Sequence, residues 1–340
     1  MRTNPALLKI PIAPESFVKI AGLAALLLSC GCSFLRSPSQ TLQVKGRYLL
    51  DTCGNRLIVR GVEQGLWWAP TQASVVDNIA TTGANAMRVI VNHPAMTWED
   101  VDDLFAKIVG HKMVFYWSIY EVPPERGLAD YTDINYWNLP EVKALYQKYK
   151  KWIIVDAMQE WQGADADWAP AAIERIGLLR SWGYECPLDC ITGMYGRNLP
   201  LILAHGAEIE AADPLHATIF GWQAYWFEEG HPEWGSWTYQ GEYGMSLYEG
   251  IKRASEQSFP IQIGIEKYTE SGPDLYMDFL GAMASAQEYQ VGWLWWCWGF
   301  TGHQGMTSDA EAKVYTDYGY EVAISDPNSI ARTSIKACGH

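Results

Sequence analysis

Two glutamates close apolar runs. Glu160 lies in KWIIVDAMQEWQG (151–163), where Trp152, Ile153, Ile154 and Val155 read as a strand buried on both faces before Gln159, Glu160 and Trp161. Glu266 ends FPIQIGIE (259–266), a second run of the same kind. Cleavage of a glycosidic bond takes one carboxyl to protonate the leaving oxygen and a second to attack, or to activate water, at the anomeric carbon. A single carboxylate at a strand exit is most often solvated or ion-paired. Two that face each other across a mouth lined by aromatic rings point to catalysis. Whether they face each other depends on the elements that carry them.

From residue 56 the chain alternates strand-like and helix-like segments. RLIVRGVE (56–63), AMRVIVN (86–92), KMVFYWSIY (112–120), the run around 152–158, PLDCITG (187–193), TIFGWQAYW (218–226), FPIQIGIE and VGWLWWCW (291–298) read as eight strands. Helical spacing fills the intervals at 73–83, 98–110 with Thr97 as N-cap, 139–150, 168–183, 199–213, 246–258 and 274–290, and a last helix lies around 328–337. Eight such units with near-continuous apolar strands predict a (β/α)8 TIM barrel, with a doubly wound sheet as the alternative. In a barrel the C-terminal strand ends form one rim. That rim carries Glu63, Asn92, Tyr120, Glu121, Glu160, Gly193, Tyr225, Trp226, Glu266 and Trp298.

Composition narrows the partners. With 340 residues, 49% hydrophobic, the chain can bury a large core. A net charge of −14 disfavours nucleic acid, which needs basic surface. Most of the 17 tryptophans belong in the core, but aromatic faces also hold sugar rings. Lys19 and the apolar run 20–29 precede Cys30 and Cys32, so residues 1–32 read as an export signal. Leu27-Leu28-Ser29-Cys30 resembles a lipobox, which leads to a bacterial lipoprotein (outer membrane or cell surface) or, failing lipidation, a secreted protein. Residues 33–41 read as a tether and 42–340 as one domain. Membrane contact is expected only through the lipid anchor. Export permits disulfides, and Cys53 and Cys338, at the two ends of a barrel, are expected to pair. Cys186 and Cys190 are a weaker candidate pair, and Cys297 a free core thiol. No Cys/His spacing suggests zinc, and no cofactor is implied.

Together RYLLDTCGNRLIVRGVE (47–63), IATTGANAMRVIV (79–91), DWAPAAIERIGLLRSWG (167–183), MYGRN (194–198), DPLHATIFGWQAYW (213–226) and GWLWWCWG (292–299) resemble glycoside hydrolase family five, above all its bacterial endo-β-mannanase-like branch. The likeness runs from about Gly46 to Ala337. It implies a retaining double displacement in which Glu160 is the acid/base and Glu266 the nucleophile. By the same likeness Arg88 supports the nucleophile, Tyr225 stands near the reacting sugar and Trp298 floors its subsite. Trp67, Trp68, Trp161 and Trp226 are further candidates to line the cleft.

Several positions depart from that pattern. Gln159 stands where the family has Asn for the sugar 2-hydroxyl, Tyr120 and Gln223 where it has His, and Arg197 where it has Gln. On the seventh strand the family's Gly-Glu is Gly264-Ile265-Glu266, so either a bulge returns Glu266 to the mouth or the nucleophile is displaced. Arg197 is read as a surface salt bridge, with an anionic sugar as the other reading. Two functions follow: a retaining, endo-acting β-glycosidase on a mannan- or glucan-type polysaccharide, or a carbohydrate-binding barrel that has lost the chemistry. Poly- or oligosaccharide is the partner in both.

Overall fold

The computed structural model describes residues 39–65, 72–91, 96–119, 134–161, 163–226, 244–269, 272–299, 304–308, 311 and 314–338. The candidates Trp67, Trp68, Asn92, Tyr120 and Glu121, and the cysteines 30 and 32, lie outside them. Eight parallel strands close into a barrel: β1 Arg60–Gly65, β2 Ala86–Val91, β3 Val114–Ile119, β4 Ile153–Met158, β5 Leu188–Ile191, β6 Thr218–Gln223, β7 Ile261–Ile265 and β8 Gly292–Trp296. β8 pairs with both β7 and β1, which completes the ring and rules out the doubly wound sheet.

Among the described residues seven helices of nine residues or more surround the barrel: α1 Gln72–Ala80, α2 Trp98–Gly110, α3 Pro140–Tyr149, α4 Asp165–Ser181, α5 Leu199–Ala212, α6 Leu247–Ser255 and α7 Phe279–Glu288. Local chemistry starts several of them. Thr97 accepts from the Asp100 N–H while the Asp100 carboxylate accepts from Thr97, a reciprocal cap on α2. Pro140 opens α3, and Asn198, Ser246 and Asp278 cap α5, α6 and α7.

Each strand sends alternate residues to the helix layer and to the interior. Val62, Val89, Trp117, Val155, Phe220, Ile263 and Trp293 join the large helix-facing cluster. Ala86, Val114, Ile154, Ile219 and Leu294 point inward at the N-terminal end, where Leu42, Leu49, Leu57 and Val59 cover them. That cover is a hairpin, Gln43–Lys45 against Tyr48–Leu50, continued by the Leu57 N–H to Leu49 C=O bond of 2.9 Å. Arg56 to Val59, expected in the first strand, therefore belong to the floor of the barrel. Ser39 and Thr41, within the expected tether, pack on the fold: the Ser39 N–H reaches the Thr52 C=O at 2.9 Å and Thr41 is buried.

Two helices differ from expectation. Gly272–Tyr276 pairs antiparallel with Tyr268–Thr269, and the Asp278 cap delays α7 to Phe279. The last helix is one turn, Ile330–Thr333. Beyond it the Asn85 amide donates to the Ile335 C=O at 2.9 Å and Ser334 donates to Gly83, which draws the chain out along the α1–β2 connection. Cys53 and Cys338 are disulfide-bonded, as expected, whereas Cys186, Cys190 and Cys297 are buried and outside the disulfide.

Candidate active site

Register stacks four inward side chains in one girdle. Trp296 of β8 pairs with Glu63 of β1, Glu63 with Arg88 of β2, and Arg88 with Tyr116 of β3. Arg88 is buried, and its Nη1 and Nη2 donate to Asp156 at 3.1 Å and Asp189 at 2.5 Å, with Glu63 at 3.9 Å from Nε. The Ser118 hydroxyl also donates to Asp156, at 2.7 Å. Arg88 is thus taken up by three carboxyls from β1, β4 and β5, and the nucleophile candidate Glu266 is not among its partners. The support expected from Arg88 is indirect: it anchors the layer below the rim.

Glu160 follows β4 with φ +38°, a left-handed conformation that non-glycine residues adopt rarely and that recurs at functional sites. The turn follows a register irregularity between Asp156 and Met158. Its Oε1 accepts from the Gln223 amide at 2.5 Å. Burial pushes its carboxyl pKa up, against the Gln223 hydrogen bond and the positive charges of Arg197 and Arg88, which pull it down. A raised pKa suits a group that holds a proton until it is needed.

Arg197 corrects the surface reading. It is 7% exposed, and its guanidinium lies 5.9 Å from the Tyr225 ring centre. Its carbonyl accepts from the indoles of Trp222 and Trp226, which fixes the segment after β5 against the exit of β6. Those bonds also place Trp226 in the core, edge-on to Trp222 with ring centres 4.9 Å apart, and not on the cleft. The Tyr225 hydroxyl is buried and makes no hydrogen bond among the described residues. Burial, reinforced by the nearby charges of Glu63, Glu266 and Glu160, keeps this phenol protonated well above its usual range. Tyr225 thus stands within electrostatic reach of both candidate catalytic carboxyls.

Glu266 reaches the interior without a bulge. Ile261, Ile263 and Ile265 all lie in the helix-facing cluster, and β7 keeps an unbroken register with both neighbours. Gly264 therefore faces inward, where an added Cβ would stand 3.1 Å from the Tyr225 hydroxyl, and Glu266, two residues on, returns to the same face. Its carboxylate accepts from the Gln304 amide at 2.7 Å. Gln304 in turn accepts from the Trp296 indole at 3.0 Å. Trp298, expected to floor the sugar site, has 0% exposure and sits in the helix-facing core beside Tyr315. Trp296, the last residue of β8, is the half-buried ring in register with Glu63, whereas Trp298 lies beyond the end of the strand.

Gln159 is buried with its Oε1 unbonded among the described residues, an acceptor held beside Glu160. Trp161 is half-buried at the rim, its indole donating to the Ala164 C=O at 3.0 Å and its ring lying over Gly163. The residues that sequence reading passed over are Asp156, Asp189, Gln304 and Trp296. Alternation counted outward from Ile154 and from Leu294 points to Asp156 and Trp296. Gln304 lies in a segment without periodicity and has no such signature.

No family model matches the chain. A mannan endo-1,4-beta-mannosidase of Salipaludibacillus agaradhaerens is 24% identical over 82% of this chain and 89% of its own. The chain is similar in sequence to that bacterial mannanase. The likeness stated from its motifs therefore stands. Among solved structures, the mannohexaose complex of Thermomonospora fusca β-mannanase matches with TM-score 0.72 at 19% identity, over 88% of this chain and 99% of that one. A thermostable GH5 cellulase from an Icelandic hot spring isolate matches with TM-score 0.56 at 15% identity, over 78% and 85%. Both share the barrel.

Proposed function

We propose that this protein is a retaining, endo-acting β-glycosidase that cleaves a β-linked mannan- or glucan-type polysaccharide by double displacement. The observation that carries this reading is Tyr225, whose buried hydroxyl has Glu160 and Glu266 as neighbours at one barrel mouth. Glu266, oriented by Gln304, attacks the anomeric carbon. Glu160 protonates the departing oxygen and then takes a proton from the incoming water. Gln159 offers its amide where the 2-hydroxyl is read, and Trp296 and Trp161 offer aromatic surface on either side of the carboxyls. Mannan ranks first because the relatives are mannanases, and glucan second because a cellulase shares the fold.

The test is hydrolysis of a panel of β-mannans and β-glucans, scored by reducing ends, with the first anomer released followed by proton NMR. The β-anomer should appear first. Glu266→Ala should abolish glycosyl-enzyme formation, and Glu160→Ala should still react with an activated glycoside and be rescued by azide as the β-azide. Binding of a glycan that is unchanged in both variants, with no hydrolysis by the wild type, would identify a sugar-binding barrel instead.

Export as a lipoprotein anchored through Cys30 is part of the same proposal. The LLSC run supports it, and a disulfide in the folded unit suits an oxidising compartment. A fatty-acid analogue should label the wild type and not Cys30→Ala. Equal labelling of both would move the anchor elsewhere.

A further inference from the structure

Glu63 has no place in the two-carboxyl scheme, yet it stands inside the same mouth. It is 4% exposed, in register with Trp296 on one side and Arg88 on the other. Its carboxyl oxygens make no hydrogen bond among the described residues, and its contact with the Arg88 Nε is a loose 3.9 Å. The other two carboxyls around Arg88 are bound far better. Asp156 accepts from Arg88 and Ser118, and Asp189 accepts from Arg88 at 2.5 Å.

We propose that Glu63 is a third carboxyl of the sugar site, carried in its neutral form, whose hydroxyl donates a hydrogen bond to a substrate hydroxyl. The inference rests on the glycosidase reading for its ligand. Its physical basis is a count of charge. One guanidinium faces three buried carboxyls and can compensate only one of them, so the other two must keep a proton or remain uncompensated. Hydrogen bonds to a carboxylate favour its charged form. Asp156 and Asp189 have them and Glu63 has none among the described residues, so the first proton belongs on Glu63.

The surroundings agree from every side. Arg88 on β2 is the one positive neighbour among the described residues. Tyr116 on β3 is a neutral phenol, Asp156 and Glu160 on and beyond β4 are like charges, and Asp189 lies on β5. Tyr225 follows β6 as a second neutral phenol, Glu266 beyond β7 is bonded to Gln304, and β8 contributes the uncharged Trp296. Burial pushes the Glu63 carboxyl up to about 7, with Glu160 and Asp156 adding to the rise and Arg88 opposing it. Burial also pushes Asp189 up to about 7, but its short bond from Arg88 stabilises the carboxylate, so its proton is the weaker claim.

A neutral carboxyl gives the site a donor where the family resemblance places none. It also makes sugar binding depend on pH through a residue outside the catalytic pair. The isosteric Glu63→Gln keeps a donor at that position and removes the titration. It is also the variant whose shape the folded protein already accepts.

The experiment measures mannohexaose affinity by calorimetry at pH 5.5 and 8.5 for the wild type, Glu63→Gln and Glu63→Ala, each in a Glu266→Ala background that binds the sugar without cleaving it, with thermal melts of the chains that keep Glu266 across the same range. The wild type should lose about tenfold in affinity at the higher pH, the size of one buried hydrogen bond. Glu63→Gln should bind as tightly at both, and Glu63→Ala weakly at both. A wild type insensitive to pH, or a Glu63→Gln variant as impaired as Glu63→Ala, overturns the proposal. The melts read the proton without any sugar. A carboxyl raised from 4.5 to about 7 in the folded state costs stability as pH climbs between those values. The melting temperature of Glu63→Gln should therefore pull ahead of the wild type over that window and hold its lead above pH 7. Equal melts, or a lead found in Asp189→Asn instead, place the proton elsewhere and sink the assignment. If the wild type binds no mannohexaose at either pH, the mannan reading fails with the sugar contact, and the melts alone decide the proton.

Discussion

Arg197 lowers the very pKa that burial raises. A cation beside Glu160 stabilises its carboxylate, so the acid carries a lower pKa than its setting alone would give. The same guanidinium faces the Tyr225 ring, which holds it at the mouth. Arg197→Met keeps the aliphatic bulk and removes the charge. Glu160 should then hold its proton to higher pH, and the basic limb of kcat/KM should move upward. A basic limb that stays put or moves down would show that Arg197 does not act on Glu160. The exchange of Gln for Arg, read from sequence as a surface ion pair, thus becomes a tuning device once its burial is known. Sequence gives the residue type and its neighbours in the chain, but the burial of Arg197 depends on Trp222 and Trp226, which clamp its carbonyl from another strand.

At the scale of the strand, parity decides which carboxyls reach the site. Counting by twos from Gly264 brings Glu266 inside, which removes the choice between a bulge and a displaced nucleophile. Gly264→Ala tests this directly. An inward Cβ would press on the Tyr225 hydroxyl at 3.1 Å and shift it from between the carboxyls. Activity should fall about tenfold, with a stability loss within the roughly 1–3 kcal/mol that overpacking costs. If the melting temperature collapses while the activity of the folded fraction is kept, Gly264 faces the helices and the parity argument fails. The barrel and its strand order were legible because eight apolar runs of even spacing allow little else. Trp298 is misplaced because alternation puts Trp296 and Trp298 on one face, and the sequence does not mark that β8 ends at Trp296. The single turn that replaces the last helix was hidden because Asn85 and Gly83, far away in the chain, take its hydrogen bonds.

At the scale of the molecule the chemistry and the closure occupy opposite ends. The rim at the C-terminal strand ends carries Glu160, Tyr225 and Glu266, while the hairpin, the tail and the disulfide seal the floor. Asp51 ties that floor together. Its carboxylate accepts from the N–H groups of Cys53 at 3.0 Å, Asn55 at 2.8 Å and Cys338 at 2.9 Å, so the two cysteines are held side by side by one buried acceptor. The bond encloses a loop of 285 residues, nearly the whole fold. Cross-linking so long a loop restricts the unfolded chain strongly, and loss of such a bond costs about 2–5 kcal/mol. The paired variant Cys53→Ser/Cys338→Ser should therefore unfold at lower denaturant concentration by that amount, and reduction of the wild type should reproduce the shift. Hydrolysis at 25 °C by the folded variant should match the wild type, because Leu42, Leu49 and Leu57 still plug the floor and the cystine lies at that end of the barrel. A variant as stable as the wild type would mean that the Asp51 bonds alone close the barrel. A folded variant with impaired hydrolysis would mean that the floor sets the geometry of the rim.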